Sequence, residues 1–149
     1  MGKITKDNAG KQAFIPVMRE LVRTYQAFSL YDAAGYQGVD LTPPQADVIF
    51  TLGNTTGLSC REIGELTLIT KGTLTGVIDR LVAKGLVERV SHAQDRRCTL
   101  VRLTPDGEQV FATQFPRQVQ YLKQRFDKLG KKERKEAIAV LTKLRALFE

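Results

Sequence analysis

Residues 41–107 constrain this chain more than any other stretch: a helical pair over residues 59–85 is followed directly by a basic hairpin with Asp95, Arg96 and Arg97 at its tip. From Thr70 onward, Leu74, Val77, Ile78, Leu81 and Val82 fall at i, i+3, i+4, i+7 and i+8, the signature of a helix with one buried stripe. Its opposite face is Lys71, Gly72, Thr75, Gly76, Asp79 and Arg80, a polar surface of mostly small residues. Such a helix fits a DNA major groove. A short polar hairpin carrying adjacent arginines fits the minor groove beside it, so the order of the parts points to a DNA-reading module.

Three helix starts organise this region. Thr42-Pro43-Pro44-Gln45 combines a capping threonine, a proline at the first helical position and a glutamine placed to reach back as the third residue of a capping box. Ala46, Ile49, Phe50 and Gly53 mark one face of that helix, and residues 53–57 end it. Ser59-Cys60-Arg61-Glu62 is a second box, with Ile63 and Leu66 expected to point inward, and Thr70 is the third start. Gly85 suits a left-handed cap. Leu86-Val87-Glu88-Arg89-Val90 and Thr99-Leu100-Val101-Arg102-Leu103 then read as the two strands of the hairpin.

The flanks are helical. Phe14, Met18, Leu21, Tyr25 and Phe28 recur at helical spacing, with Pro16 tolerable only in the first turn, so a helix should begin near Pro16 and fade around residues 35–38. Thr104-Pro105 opens another, with Val110, Phe111, Phe115, Val119, Leu122, Phe126 and Leu129 on one side; Pro116 is expected to bend or break it. A last helix carries Ile138, Leu141, Leu144 and Phe148. These stripes exceed what a three-helix reader needs for its own core, which predicts pairing with a second copy. A symmetric dimer would present two readers to half-sites about 34–36 Å apart.

Composition narrows the alternatives. At 149 residues and 42% hydrophobic content, the chain fits one globular domain. The 23 basic residues against 16 acidic ones favour a polyanionic partner, although 10 of the basic residues lie after Thr104, outside the proposed reader. The start, residues 1–11, is a polar loose tail with no apolar segment, and no run is long enough to span a bilayer, so a cytoplasmic location without membrane contact is expected. Cys60, Cys98 and the single His92 lack metal-ligand spacing. With no phosphate-cradling glycine loop and no nucleophile beside a base, no enzyme, metal or cofactor is expected.

The chain resembles the MarR family of winged helix-turn-helix transcriptional regulators. The likeness rests on Leu41-Thr42-Pro43-Pro44-Gln45, Gly57-Leu58-Ser59, the helix over residues 70–81, Gly85-Leu86-Val87-Glu88-Arg89, Asp95-Arg96-Arg97 and Leu103-Thr104-Pro105-Asp106-Gly107, in that order. It implies a mainly α fold with a small β-hairpin: a winged helix-turn-helix reader over residues 41–104, flanked by dimerisation helices at residues 12–40 and 105–149. It also implies a homodimer that represses or activates nearby genes from a pseudo-palindromic operator on double-stranded DNA. Release would follow from a small aromatic or amphipathic effector.

Candidate DNA contacts are then Arg61, Lys71, Thr73, Thr75, Arg80, Asp95, Arg96 and Arg97. Lysine donates to guanine, and threonine offers a hydroxyl or a methyl contact. Arg61 and Arg80 suit phosphates, or else ordinary surface ion pairs. By resemblance, Arg97 enters the minor groove with Asp95 as its support. Gly72 and Gly76 depart from the family pattern, in which side-chain-bearing residues stand; they either admit the DNA to the helix backbone or are incidental. Candidate effector-pocket residues are Phe28, Tyr31, Tyr36, Phe50 and Phe111, whose spacing equally suits a plain core. Two alternatives remain: a sequence-independent architectural DNA binder, and a thiol-based redox-responsive regulator using Cys60 or Cys98. The family's peroxide sensors carry their cysteine in the first helix, where this chain has none.

Overall fold

The computed structural model describes residues 2–91, 94 and 99–149. The expected wing tip (Asp95, Arg96, Arg97), with His92 and Cys98, lies outside the described residues. The chain forms two compact units, Met1–Val39 and Asp40–Glu149.

In the first unit, helix α1 spans Ile15–Ala34 with Pro16 in its first turn, where the missing N–H costs nothing. The expected loose tail contains a 3-10 turn at Ala9–Lys11, preceded by a side-chain bond in which the Thr5 N–H donates to Asn8 Oδ1 at 2.9 Å. No residue of α1 is buried, and Phe14, Val17, Met18, Leu21, Val22 and Tyr25 all stand exposed.

The second unit runs α2 (Pro43–Leu52), β1 (Leu58–Ser59), α3 (Cys60–Leu66), α4 (Lys71–Ala83), β2 (Val87–Ser91), β3 (Thr99–Leu103), α5 (Pro105–Phe126) and α6 (Lys131–Arg145). This is a mainly α fold with a small antiparallel sheet in the order β1-β3-β2. Both expected capping boxes form. The Thr42 hydroxyl accepts from the Gln45 N–H while Gln45 Oε1 accepts from the Thr42 N–H, and Ser59 and Glu62 repeat the exchange at α3. Each satisfies two otherwise orphaned backbone donors.

The core joins Ala46, Val48, Ile49 and Leu52 of α2 to Ile63, Leu74, Val77, Ile78 and Leu81 of α3 and α4, and to Val87, Val101 and Leu103 of the sheet. Two expected core members are not in it. Leu66 is 66% exposed because α3 ends at that residue; Thr67 takes the inward place, its hydroxyl donating to the Ile63 carbonyl at 2.8 Å. Val82 is 38% exposed, at the margin of the α4 stripe in its last turn.

The hairpin begins one residue later than the sequence suggests. Gly85 adopts φ +72°, and the Leu86 N–H donates back to the Leu81 carbonyl, so Leu86 closes the helix and is not part of the strand. Pro116 does not break α5, which is one helix of 22 residues. Proline removes a single N–H, and the apolar stripe continues on both sides of it. Phe148 lies past the end of α6 and is 79% exposed.

Candidate nucleic-acid interface

Helix α4 is set by its neighbours on both sides. Its buried stripe packs on α2, α3 and β2, which leaves Lys71, Gly72, Thr75, Asp79 and Arg80 exposed and Gly76 half-buried. All six residues expected on the outer face are therefore away from the core. Thr73 is also exposed, and its hydroxyl oxygen accepts from the Thr70 hydroxyl at 3.1 Å, so the two threonines brace the first turn in place of a side-chain cap to the backbone. A Cβ built at Gly72 or at Gly76 would meet nothing within 4 Å. Packing therefore gives no reason for either glycine.

The basic candidates separate. Arg61, on the exposed side of α3, pairs with Glu65 one turn along at 3.1 Å. This is the ordinary surface ion pair, worth a few tenths of a kcal/mol. Arg80 and Lys71 have no ion pair among the described residues, which leaves their charges available to a polyanion. Asp95, Arg96 and Arg97 lie outside the described residues.

Three contacts that link these elements escaped the sequence reading. Arg89 Nη2 of β2 donates to Asp79 Oδ1 of α4 at 2.6 Å, tying the base of the hairpin to the outer face of the helix. Arg102 of β3 pairs across the strands with Glu88, its register partner, at 2.7 Å. Lys84 Nζ, just beyond α4, donates to the Asp40 carbonyl at 2.6 Å and to Gln45 Oε1 at 3.3 Å, fastening the end of α4 to the start of α2. The sequence signal was the opposite charges alone; their partners are 10 to 44 residues apart in the chain, beyond the reach of helical periodicity.

Of the expected pocket residues, Phe28 is exposed and Tyr31 and Tyr36 are half-buried in the first unit. In the second, Phe50 is half-buried and Phe111 buried, and both ring systems meet Phe115, with centroids 5.2 Å and 5.1 Å from it. Phe50 and Phe111 thus belong to an aromatic cluster between α2 and α5, and Phe115 is the member not foreseen. Gly53 makes room for it, since a Cβ there would lie 2.1 Å from Phe111 Cε2.

A family model described as MarR family matches residues 39–97, from the last residue of the first unit through the expected wing tip. The structure of Bordetella bronchiseptica BpsR, whose DNA binding is described as regulated by 6-hydroxynicotinic acid, is 28% identical. It covers 97% of this chain and 98% of that one, with a TM-score of 0.76. Residues 39–97 are a MarR-family segment. A mutant MarR from E. coli, solved in complex with operator DNA, matches with a TM-score of 0.77 at 25% identity, covering 89% of this chain and 98% of that one. Salmonella typhimurium MarR is 35% identical over 69 residues, 46% of this chain and 48% of that protein, so this last match spans about half of the relative.

With this segment the chain is a transcriptional regulator with a DNA-binding winged helix, not an enzyme. The α3–α4 pair and the β2–β3 hairpin are the helix-turn-helix and wing of that fold. Among the described residues no group of His, Cys, Asp and Glu could hold a metal ion, and no helix is long and apolar enough to cross a membrane.

Proposed function

We propose that this regulator works in the cytoplasm as a homodimeric repressor on a pseudo-palindromic operator and is released by a small-molecule effector. The observation that carries the reading is the solvent-facing side of α4, with Lys71 and Arg80 unpaired among the described residues and the hairpin fixed beside it through Arg89. In this reading Lys71, Thr73 and Thr75 address the major groove, Arg61 and Arg80 address phosphates, and Arg96 and Arg97, with Asp95 in support, address the minor groove. Arg61 would exchange its weak pair with Glu65 for a phosphate.

Dimerisation is supported by apolar surface that stands exposed in one chain: Phe14, Met18 and Tyr25 in the first unit, and Val119, Ile138 and Leu141 in the second. Stretches of this extent are interaction surfaces in soluble proteins. Effector release is supported by the likeness to BpsR, and such a ligand would shift the dimer only by its differential affinity for the two states.

Replacement of Arg97 tests the wing. Arg97→Ala should weaken binding to the footprinted site flanking the protein's own gene by about tenfold, roughly 1–2 kcal/mol, with an unchanged melting curve. Fluorescence anisotropy measures it, and unchanged binding would remove the wing from the interface. A second reading, sequence-independent architectural binding, is favoured by the bare backbone at Gly72 and Gly76; equal affinity for flanking and scrambled duplexes would select it.

A further inference from the structure

The Asp79–Arg89 pair occupies a place that the DNA reading makes consequential. With α4 in the major groove and the hairpin tip in the adjacent minor groove, the phosphate strand separating the two grooves must cross the junction between α4 and β2. That junction is where the pair sits. Arg89 lies two residues beyond buried Val87 on β2 and so shares its face, which leans it toward the α4 side of the sheet. Its guanidinium reaches Asp79 Oδ1 at 2.6 Å, and the pair remains wet, with the two side chains 36% and 60% exposed. Asp79 shares the outer stripe of α4 with Thr75 and Gly76, four and three residues earlier. No bulky side chain at position 76 screens it.

An arginine in this position with no acceptor would bind the passing phosphate of any duplex, whatever its sequence. We infer that Asp79 is a specificity-determining residue acting through Arg89: it holds that guanidinium off the phosphates and fixes the hairpin at one angle to the recognition helix. The inference rests on the DNA reading above. Two consequences follow from the pair. Affinity for arbitrary duplex is held down by one phosphate contact, and only a site whose two grooves match the fixed angle receives helix and wing together. The exposed carboxylate therefore favours correct sites although it faces a polyanion.

The test measures Asp79→Ala by anisotropy on two duplexes, the footprinted flanking site and a scrambled sequence of equal length, between 0.05 and 1 M salt (about −0.9 in log K against log salt per contact). On the scrambled duplex the variant should bind about eightfold more tightly at 0.1 M salt, with a slope steeper by about 0.9. On the flanking site the gain should be smaller, because a freed hairpin must be ordered again on binding, so preference for that site falls. The same substitution in an Arg89→Met background should give no gain, since no guanidinium remains to be released. An unchanged slope, an equal gain on both duplexes, or a gain that persists without Arg89 would each overturn the inference. Wild-type protein that binds neither duplex would overturn the DNA reading itself, whereas wild-type preference with an inert Asp79→Ala would overturn the inference alone.

Discussion

Gly107→Ala should lower the melting temperature by about 10 °C, the equivalent of roughly 3 kcal/mol. A Cβ at this position would lie 1.9 Å from the Leu86 carbonyl oxygen and 3.0 Å from its carbon. Both are backbone atoms and cannot swing aside. The contact is tight because the start of α5 is fastened to the end of the recognition helix. The Thr104 N–H donates to the Leu86 carbonyl at 3.1 Å, the Thr104 hydroxyl donates to the Gly85 carbonyl at 2.6 Å, and the Gly107 N–H donates back to that hydroxyl at 3.1 Å. Making room for a methyl group means breaking this set or pulling β2 from β3. Calorimetry measures the loss, with Asp106→Ala, an exposed neighbour, as a near-neutral control. A wild-type melting curve for Gly107→Ala would show that α5 does not dock on Leu86.

The second large effect separates folding from function in the recognition helix. Gly76→Leu should preserve the fold and stabilise α4 by up to about 1 kcal/mol, because a helical glycine is replaced where a side chain meets open space. The same substitution should weaken operator binding by about a hundredfold, near 2.7 kcal/mol, since the leucine would stand between the helix backbone and the base edges. Thermal melting and anisotropy on one preparation read both. Undiminished binding would mean that DNA does not approach the backbone at Gly76, and that the glycine is incidental.

What the sequence made legible was mainly local. The Thr42–Gln45 and Ser59–Glu62 boxes are exchanges across three residues, and the Gly85 cap is a property of one residue, so short patterns suffice to place α2, α3 and the end of α4. The outer face of α4 followed from periodicity. Features set by distant partners were not visible. β1 is two residues long and exists through pairing with Leu100 and Val101, and no alternation shows over so short a run. Leu66 was misplaced because periodicity does not say where a helix stops. The fit of Phe111 over Gly53 depends on an absent side chain, and the Asp79–Arg89 link depends on how β2 turns back against α4.

The surface of α4 and its hairpin is the centre of the functional reading, and salt-dependent binding addresses it most directly. Anisotropy of the wild-type protein on the duplex flanking its own gene, against a scrambled duplex, should show preference for the flanking sequence. The slope of log K against log salt should be negative and at least about 3.6 in magnitude, about −0.9 for each of roughly four phosphates met by Arg61 and Arg80 of two protomers. A flat salt response would contradict a DNA reader built on these residues.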